Sequence, residues 1–577
     1  MKKLVSFFEK EKIVICIIVL LSLFPLYTPG FYYSHDGLIH LFRTVGAYSN
    51  LVNLDFFGRI YYNMINNFGY GWGMFYPPIS AVVPAFFMTI GFSLFTAEKI
   101  FIILASIFAG LFSYKLFNEL FNNKFCSLLA TIIYILAPFK MTQIIVRGAF
   151  GELLLFTFLP LIMFGLIKIL KKEYKYKYYF VFGVTGIVYS HIISTVYTAI
   201  FVAIFLLLNI KSIINKKTLL ELSKCLLVIL LLCSPILVPL AEHQIMNIYN
   251  VNSMMGGNVA DSVVHVGQLI GSKIESGNVG NSSYFSNDKE MNYMIGLTPI
   301  LLLALLPFAF AKIKENGDKN NVIKYSTLLF ITILMMVTPL IWNKIGVLDV
   351  IQFPWRLLTF SVLFISIISG YILKSILTKE NEYAFLLFVL GFSFIFIYLA
   401  GTEIRLAKKL NSEVNFENQI LTEKDDYWSI ASSLGYSYDY LPKQLDEEIL
   451  KSRGTDIIVL DGNASITSLD KKNSILNANV VTSSQNVVLE LPLIYYKGYT
   501  IKIDNTKVDY NISDNGFIKI YISNIGEHKI YLKYTGTIIY NICDIAAIVV
   551  LLIYIINYGK ERLSRNKAIE TETKPTV

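Results

Sequence analysis

Charge is scarce in this chain: only 16% of its 577 residues are Asp, Glu, Lys or Arg, where a soluble domain carries roughly 25%. That shortage excludes a soluble enzyme and a disordered chain. Cysteine is scarce too. The five (Cys16, Cys126, Cys225, Cys233 and Cys543) all fall inside apolar runs, which excludes a disulfide framework and a cysteine-built zinc site. No small-residue cleavage site follows the apolar run after Met1-Lys2-Lys3, so the start reads as an uncleaved signal anchor. No internal repeat suggests the inverted halves of many transporters. The net charge of +9 marks basic loops on the cytoplasmic side of a membrane, and no nucleic-acid partner is expected.

What the chain has in abundance is apolar sequence, 55% of it. Thirteen runs stand out, at roughly 13–29, 78–95, 99–118, 124–139, 152–170, 177–191, 194–210, 218–240, 292–312, 323–341, 357–376, 384–400 and 537–557. Such runs are read as helices crossing a hydrocarbon core of about 30 Å. Basic loops at 171–177, 211–217, 312–324 and 374–379, and the tail with Lys560, Arg562, Arg565 and Lys567, are expected to face the cytoplasm. Thirteen crossings from an inside N-terminus would put that tail, and the 171–177 loop, on the wrong side. Twelve crossings plus one partial segment among 78–95, 99–118 and 124–139 repair both faults.

The expected fold is therefore a polytopic α-helical membrane protein with a multi-helix domain over 1–400. An external mixed lead-in and β domain follows over 402–536, then a last transmembrane helix at 537–557 and a basic cytoplasmic tail at 558–577. Within 402–536, the stretches 455–460, 476–481, 486–493, 497–503, 516–523 and 527–534 are β-branched and partly alternating, and Asp514-Asn515-Gly516 is a turn. They predict a small antiparallel β domain, a sandwich.

The polar loops gathered on the outer side hold the candidate chemistry. In the first, 30–77, a helix would carry Asp36, His40 and Arg43 at i, i+4 and i+7 on one face, with Leu38, Leu41, Phe42 and Val45 opposite, and would lie along the membrane surface. A carboxylate, an imidazole and a guanidinium together suit a phosphate-bearing substrate. Asp36 would serve as general base or as ligand to a divalent metal, Mg or Mn, while His40 and Arg43 neutralise a phosphate. A capped interfacial helix is the plainer reading of the same residues. Gly69 to Pro78, with Tyr76, suits a sugar face or the membrane interface, and Asp55 and Arg59 read as solvated or mutually paired.

Arg147-Gly148-Ala149-Phe150-Gly151-Glu152 supplies a second acidic group, although Glu152 also fits a helix N-terminus on dipole grounds. His191 sits at a turn with Ser194 and Thr195, and Glu242-His243-Gln244 follows another helix exit. In Gln352-Phe353-Pro354-Trp355-Arg356, Pro354 and Trp355 are ordinary helix-start and interface residues. Arg356, on the outer side, goes against the positive-inside bias and calls for an anionic partner.

These stretches, in this order, resemble the bacterial YfhO-like membrane proteins, including members labelled "6-pyruvoyl-tetrahydropterin synthase-related". The likeness extends to Leu491-Pro492 and Tyr495-Tyr496-Lys497-Gly498-Tyr499, where Lys497 and Tyr499 depart from the family's Tyr-Pro-Gly-Trp pattern. No three-histidine zinc set supports pterin chemistry. The family looks like the GT-C class of integral-membrane glycosyltransferases. The resemblance implies transfer of a sugar from a polyprenyl-phosphate carrier to a cell-envelope glycopolymer or protein acceptor, at the outer face of a bacterial plasma membrane. It implies Asp36 as central acid, Glu152 as second acid, Arg43, Arg147 and Arg356 on the lipid phosphate, and His40 or His191 assisting. A lipid or polysaccharide transporter and a non-catalytic envelope-assembly protein are the alternatives.

Overall fold

The computed structural model of the chain describes residues 10–251, 259–270, 291–342, 351–395 and 439–572, with 28, 33 and 292 excepted. The lead-in expected over 402–450, with its Asp425-Asp426-Tyr427-Trp428 motif, lies outside the described residues up to position 438.

The helices that matter here are α1 (Glu11–Ser22), α2 (Gly37–Val52), α3 (Ile79–Thr89), α4 (Leu94–Phe121), α5 (Lys124–Ile135), α6 (Phe150–Leu170), α7 (Lys177–Val188), α8 (Ile192–Leu207), α9 (Lys216–Met246), α10 (Lys319–Val337), α11 (Leu358–Ile376) and α12 (Ile538–Glu572). Among the described residues six helical stretches are long and apolar enough to cross a membrane: Leu94–Phe121, Phe150–Leu170, Lys216–Met246, Lys319–Val337, Pro354–Ile376 and Ile538–Glu561. Two further pairs, Lys124–Ile135 with Pro138–Arg147 and Leu297–Ala304 with Leu306–Glu315, pass together but bend by 42° and 67°. The apolar surface these helices expose explains why so few charges are tolerated. Stretches 150–170 and 354–376 are 89% and 94% buried in their apolar windows, against 22% for the last helix. The first two are central and α12 is peripheral.

The early trio of apolar runs takes an uneven form. The 78–95 run becomes α3, 11 residues with Pro84 inside, only about 17 Å at 1.5 Å per residue. The 99–118 run lies within the 28-residue α4. The 124–139 run breaks at Pro138 and continues as a short helix, Pro138–Thr142, and a π-helical turn, Gln143–Arg147.

Polar contacts collect the ends of these helices. Glu119 lies 2.7 Å from Lys168 and 2.8 Å from Lys171, Lys177 pairs with Glu221 at 2.8 Å, and Asp318 with Lys374 at 2.8 Å. The basic turns thus lie at one end of the bundle.

At the other end sits the β domain, from β1 (Ile458–Asp461), β2 (Ala464–Lys472), β3 (Ile475–Thr482), β4 (Val487–Ile494) and β5 (Tyr499–Ile503) to β6 (Thr506–Val508), β7 (Asn511–Ile512), β8 (Phe517–Ile522) and β9 (Gly526–Tyr534). All pairings are antiparallel, in two sheets ordered β1-β4-β8-β7 and β2-β3-β9-β5-β6. Alternation buries Leu476, Ala478, Val480, Ile530 and Leu532 from the second sheet, and Leu489, Leu491, Ile518 and Ile520 from the first. The first sheet also docks on the first loop: Ile494 N–H donates to Phe68 O at 3.1 Å, and the Phe68 and Phe517 rings meet edge-on at 5.1 Å.

Two expectations about the first loop are corrected. Helix α2 does not lie amphipathically on a surface. His40, Arg43, Thr44 and Asn50 are buried with its apolar residues, because α3, α4 and the 59–76 segment cover what would have been its wet face. Arg59 does not pair with Asp55. It makes two hydrogen bonds, of 2.9 and 2.6 Å, to Asp544, two turns into the last apolar helix. A carboxylate on a membrane-length helix needs a cation close by, and Arg59 is the one that reaches it.

Candidate active site

The local fold that builds the site starts at Gly148. It sits at φ +61°, and a Cβ there would meet Ser34 Oγ at 2.3 Å and Gly37 N at 2.8 Å. Only glycine allows the first loop to dock this closely. The docking is by backbone: His35 N–H donates to Val146 O at 3.1 Å and Asp36 N–H to Arg147 O at 2.6 Å. Asp36 then caps α2, with its carboxylate aimed back at the π-helical turn. A π-turn widens the helix by one residue and is often found at functional sites.

Arg147 is the shared cation. It donates to Asp36 Oδ2 at 3.3 Å, to Gln143 Oε1 at 2.7 Å, and to Glu152, while its guanidinium lies 4.6 Å from the Trp355 ring centre. Gln143 also donates to Glu152 Oε2 at 3.1 Å. Glu152 enters from the first turn of α6 and has a second cation, Arg356 Nε at 2.9 Å from its Oε1. That contact is an ion pair without a directed hydrogen bond, since Arg356 Nε lacks an aligned acceptor. Arg356 is also anchored to Gln352 Oε1 at 2.9 Å and Ile351 O at 3.3 Å. Two carboxylates thus face two guanidiniums, and Asp36 is the most open of the four side chains, 27% exposed against 5–9% for the others.

Around this core lie the remaining expected residues. His191 Nδ1 accepts from Ser194 N–H at 3.2 Å, so its Nε2, 3.9 Å from Glu152 Oε1, carries the proton. The Tyr76 ring centre is 6.1 Å from that of His191 and 6.2 Å from that of His40. Arg43 stacks 3.8 Å from the Tyr76 centroid and donates to Pro77 O at 2.6 Å and Ser80 Oγ at 3.1 Å. Its Nε, buried, has no acceptor. Among the described residues Arg43 makes no ion pair, so the site carries one cation in excess of its paired carboxylates.

The protonation states follow from burial. Asp36 is raised above the ordinary aspartate range by withdrawal from water, an effect partly offset by Arg147. His40 is held well below its usual value, first by burial and then by Arg43, and stays neutral at pH 7. Burial lifts the Tyr76 phenol to about 12. A raised carboxyl beside neutral imidazoles and an unpaired guanidinium suits proton uptake next to an anion.

No family model matches the chain. Among curated proteins it is similar to one from Lactococcus lactis subsp. cremoris described as "uncharacterized protein", at 26% identity covering 96% of both chains. The similarity runs end to end and brings no activity with it.

The structure brings Asp36, Arg147, Glu152, Arg356 and His191 into one cluster, with His40, Arg43 and Tyr76 against it. It separates Glu242, which accepts from Lys497 of the β domain and from Tyr540 of α12, and His243, which packs against the Phe75, Tyr249 and Tyr540 rings. Asp36 and Arg43 diverge from their shared α2 face, one to Arg147 and the other to Tyr76. Gln143 was missed by sequence reasoning; its i, i+4 spacing to Arg147 was the available signal. Trp355, read as an interface residue, is buried and is the face on which Arg147 stacks. For a divalent cation the donor set is poor. Among the described residues no three His, Cys, Asp or Glu side chains converge, and Glu152 is taken up by two arginines, which leaves Asp36 as a single carboxylate beside a guanidinium.

Proposed function

We propose that this protein is a membrane glycosyltransferase that moves a sugar from a polyprenyl-phosphate carrier to a cell-envelope acceptor, at the end of the bundle that carries the β domain. The observation that carries the reading is the cluster of part-open Asp36 with buried Arg147, Glu152 and Arg356, with Arg43 in no ion pair beside it. In a chain so poor in charge, a balanced cluster plus one extra guanidinium favours an anionic ligand. An apolar groove of about 620 Å³ adds support. Its lining includes Ile79, Phe112, Phe158, Phe182, Tyr189 and Leu551. Tyr189 O accepts from Ile79 N–H at 3.1 Å, so this end of the groove adjoins His191 and Ser80 of the site. A polyprenyl tail would fill the groove and bring its phosphate to the arginines.

The chemistry then needs only this chain's own groups. Asp36 takes the proton of the acceptor hydroxyl as that oxygen bonds to the anomeric carbon of the sugar. The bond from that carbon to the phosphate oxygen breaks, and its electron pair leaves on the carrier phosphate, where Arg43 offsets the new charge. Glu152, clamped by Arg147 and Arg356, holds the cluster in place. Arg147 keeps Asp36 oriented, and the Asp36 proton passes to solvent through its open edge. No step is routed through a metal.

The end with the basic turns would be cytoplasmic, with twelve crossings and α3 as the segment that does not cross. A membrane-impermeant thiol reagent tests this in a cysteine-free background: Phe92→Cys should label from outside, and Asn122→Cys only after permeabilisation. For the activity, Asp36→Asn should insert and accumulate as the wild type does while the envelope loses the modification. Unchanged envelope glycosylation in that strain rejects the proposal.

A further inference from the structure

One cavity lies apart from the Asp36 cluster. It measures about 980 Å³ and lies where the first loop, the second β sheet and the last helix meet. Asn50 and Asn53 come from the end of α2, Arg59 and Tyr62 from the loop, Asn473 from the β2–β3 turn, and Asp544 from α12. A volume near 1,000 Å³ is at the upper end of what encloses a drug-sized ligand. A second cavity of about 670 Å³ lies on the outward face of the five-stranded sheet. The two share Asp470 and Asn477, so they form one groove running from the last helix up and across the sheet.

The register of the sheet explains the lining. Asp470 pairs with Asn477, Asn477 with Tyr531, and Tyr531 with Lys502. Side chains paired across neighbouring strands point to the same face, so carboxylate, amide, phenol ring and ammonium stand in one row across β2, β3, β9 and β5. Two residues along the strand, on the same face, Asn479 is paired with Lys529. The charges cancel locally. In the larger cavity Arg59, Lys472 and Lys533 stand against Asp55, Asp470 and Asp544, and in the smaller one Lys502 and Lys529 stand against Asp470 and Asp504. A solvated sheet face would also be polar. It would not be continuous with a cavity walled by a membrane helix and floored by the buried Arg59–Asp544 pair.

We infer that this groove binds an uncharged, hydroxyl-rich polymer, a glycan segment of the envelope. Amides and carboxylates at strand spacing match runs of hydroxyl donors and acceptors, and the Tyr531 ring offers a flat face for a sugar. Balanced charge argues against a polyanion, which would select a basic groove. Exposed Leu54, Phe56 and Phe57 flank the lower end beside α12, which puts that end at the membrane interface. Asp36 and Asn50 sit at opposite ends of α2, about 20 Å apart at 1.5 Å per residue. A single sugar cannot reach both, and a polymer can. The groove's use as the acceptor's seat rests on the transferase reading; its affinity for glycan does not.

The test uses the full chain in nanodiscs. The probes are the uncharged oligosaccharides released from the cell's own envelope by mild acid, with poly(glycerol phosphate) as the anionic counter-probe. Wild type and Asp36→Asn should bind the uncharged fraction with the same Kd. Tyr531→Ala and Asn477→Ala, both on the sheet surface, should weaken binding at least tenfold while thermal unfolding is unchanged; Asp470→Asn replaces either variant if it fails to fold. Three results overturn the inference: no binding of the uncharged fraction by the wild type, an unchanged Kd in the groove variants, or tighter binding of the polyanion. Glycan binding that survives alongside a complete lack of sugar transfer upholds the groove and removes the transferase reading alone.

Discussion

Glu152→Gln keeps the shape of a buried side chain and removes its charge. In the folded protein Glu152 answers two guanidiniums, Arg147 in direct hydrogen-bond contact and Arg356 at 2.9 Å, and all three side chains are less than a tenth exposed. An exposed pair would contribute about 0–1 kcal/mol. Here the partners have no water to turn to, and removing one member of a buried pair costs about 3–5 kcal/mol. That is roughly two to four powers of ten in the unfolding equilibrium. Equilibrium unfolding by denaturing detergent, followed by tryptophan fluorescence, reads the difference. A second variant sharpens the test. Arg356→Gln alone leaves Glu152 with Arg147, and the double variant restores charge balance, so its loss should fall short of the two single losses added together by about 1 kcal/mol or more. A Glu152→Gln protein within about 0.5 kcal/mol of wild type would refute the reasoning, since surface-like behaviour is incompatible with a dry, charge-balanced cluster.

Other outcomes follow from the same geometry. Gly73→Ala should destabilise by about 1–3 kcal/mol, because its Cβ would meet the Gly58 carbonyl oxygen at 2.0 Å and the Arg59 Cα at 2.9 Å; protease resistance of the first loop reads it. Arg59→Met should cost about 3–5 kcal/mol by stranding Asp544, and adding Asp544→Leu should recover most of that, measured by the same detergent unfolding. With Asp36 as the proposed base, the acid limb of turnover should lie above the ordinary aspartate value of 3.8, because burial raises its carboxyl and a base must be ionised to act. Arg147 opposes that rise, so Arg147→Gln should move the limb to still higher pH. The linked stability has the opposite sense: protonated Asp36 favours the fold at low pH, and that increment fades as pH climbs through its raised pKa.

Long apolar runs were legible because periodicity hardly matters once a segment is uniformly apolar, and so were the six strands that alternate or carry β-branched residues. Strand β2 escaped because Ala464–Lys472 is polar, half-exposed and interrupted by a register shift between Ile466 and Ser468. What the sequence could not show is which distant charges meet. Asp36 and Arg147 are brought together by a glycine whose need is visible only when Ser34 and Gly37 are seen against it. Asp544 reads as an oddity in an apolar run until Arg59 arrives from the first loop. Helical spacing put Asp36, His40 and Arg43 on one face; in the structure Asp36 is the N-cap before α2 and turns toward Arg147, while Arg43 turns toward Tyr76.

The central claim is that Asp36 accepts the proton while a sugar leaves a lipid phosphate. Purified protein in liposomes, given a radiolabelled polyprenyl-phosphate sugar and envelope glycan, tests it through release of polyprenyl phosphate and label in the glycan. The wild type should turn over, and Asp36→Asn should do so at least a hundredfold more slowly, the loss typical of removing a general base, with insertion and unfolding midpoint preserved. Equal turnover by the two proteins would contradict it.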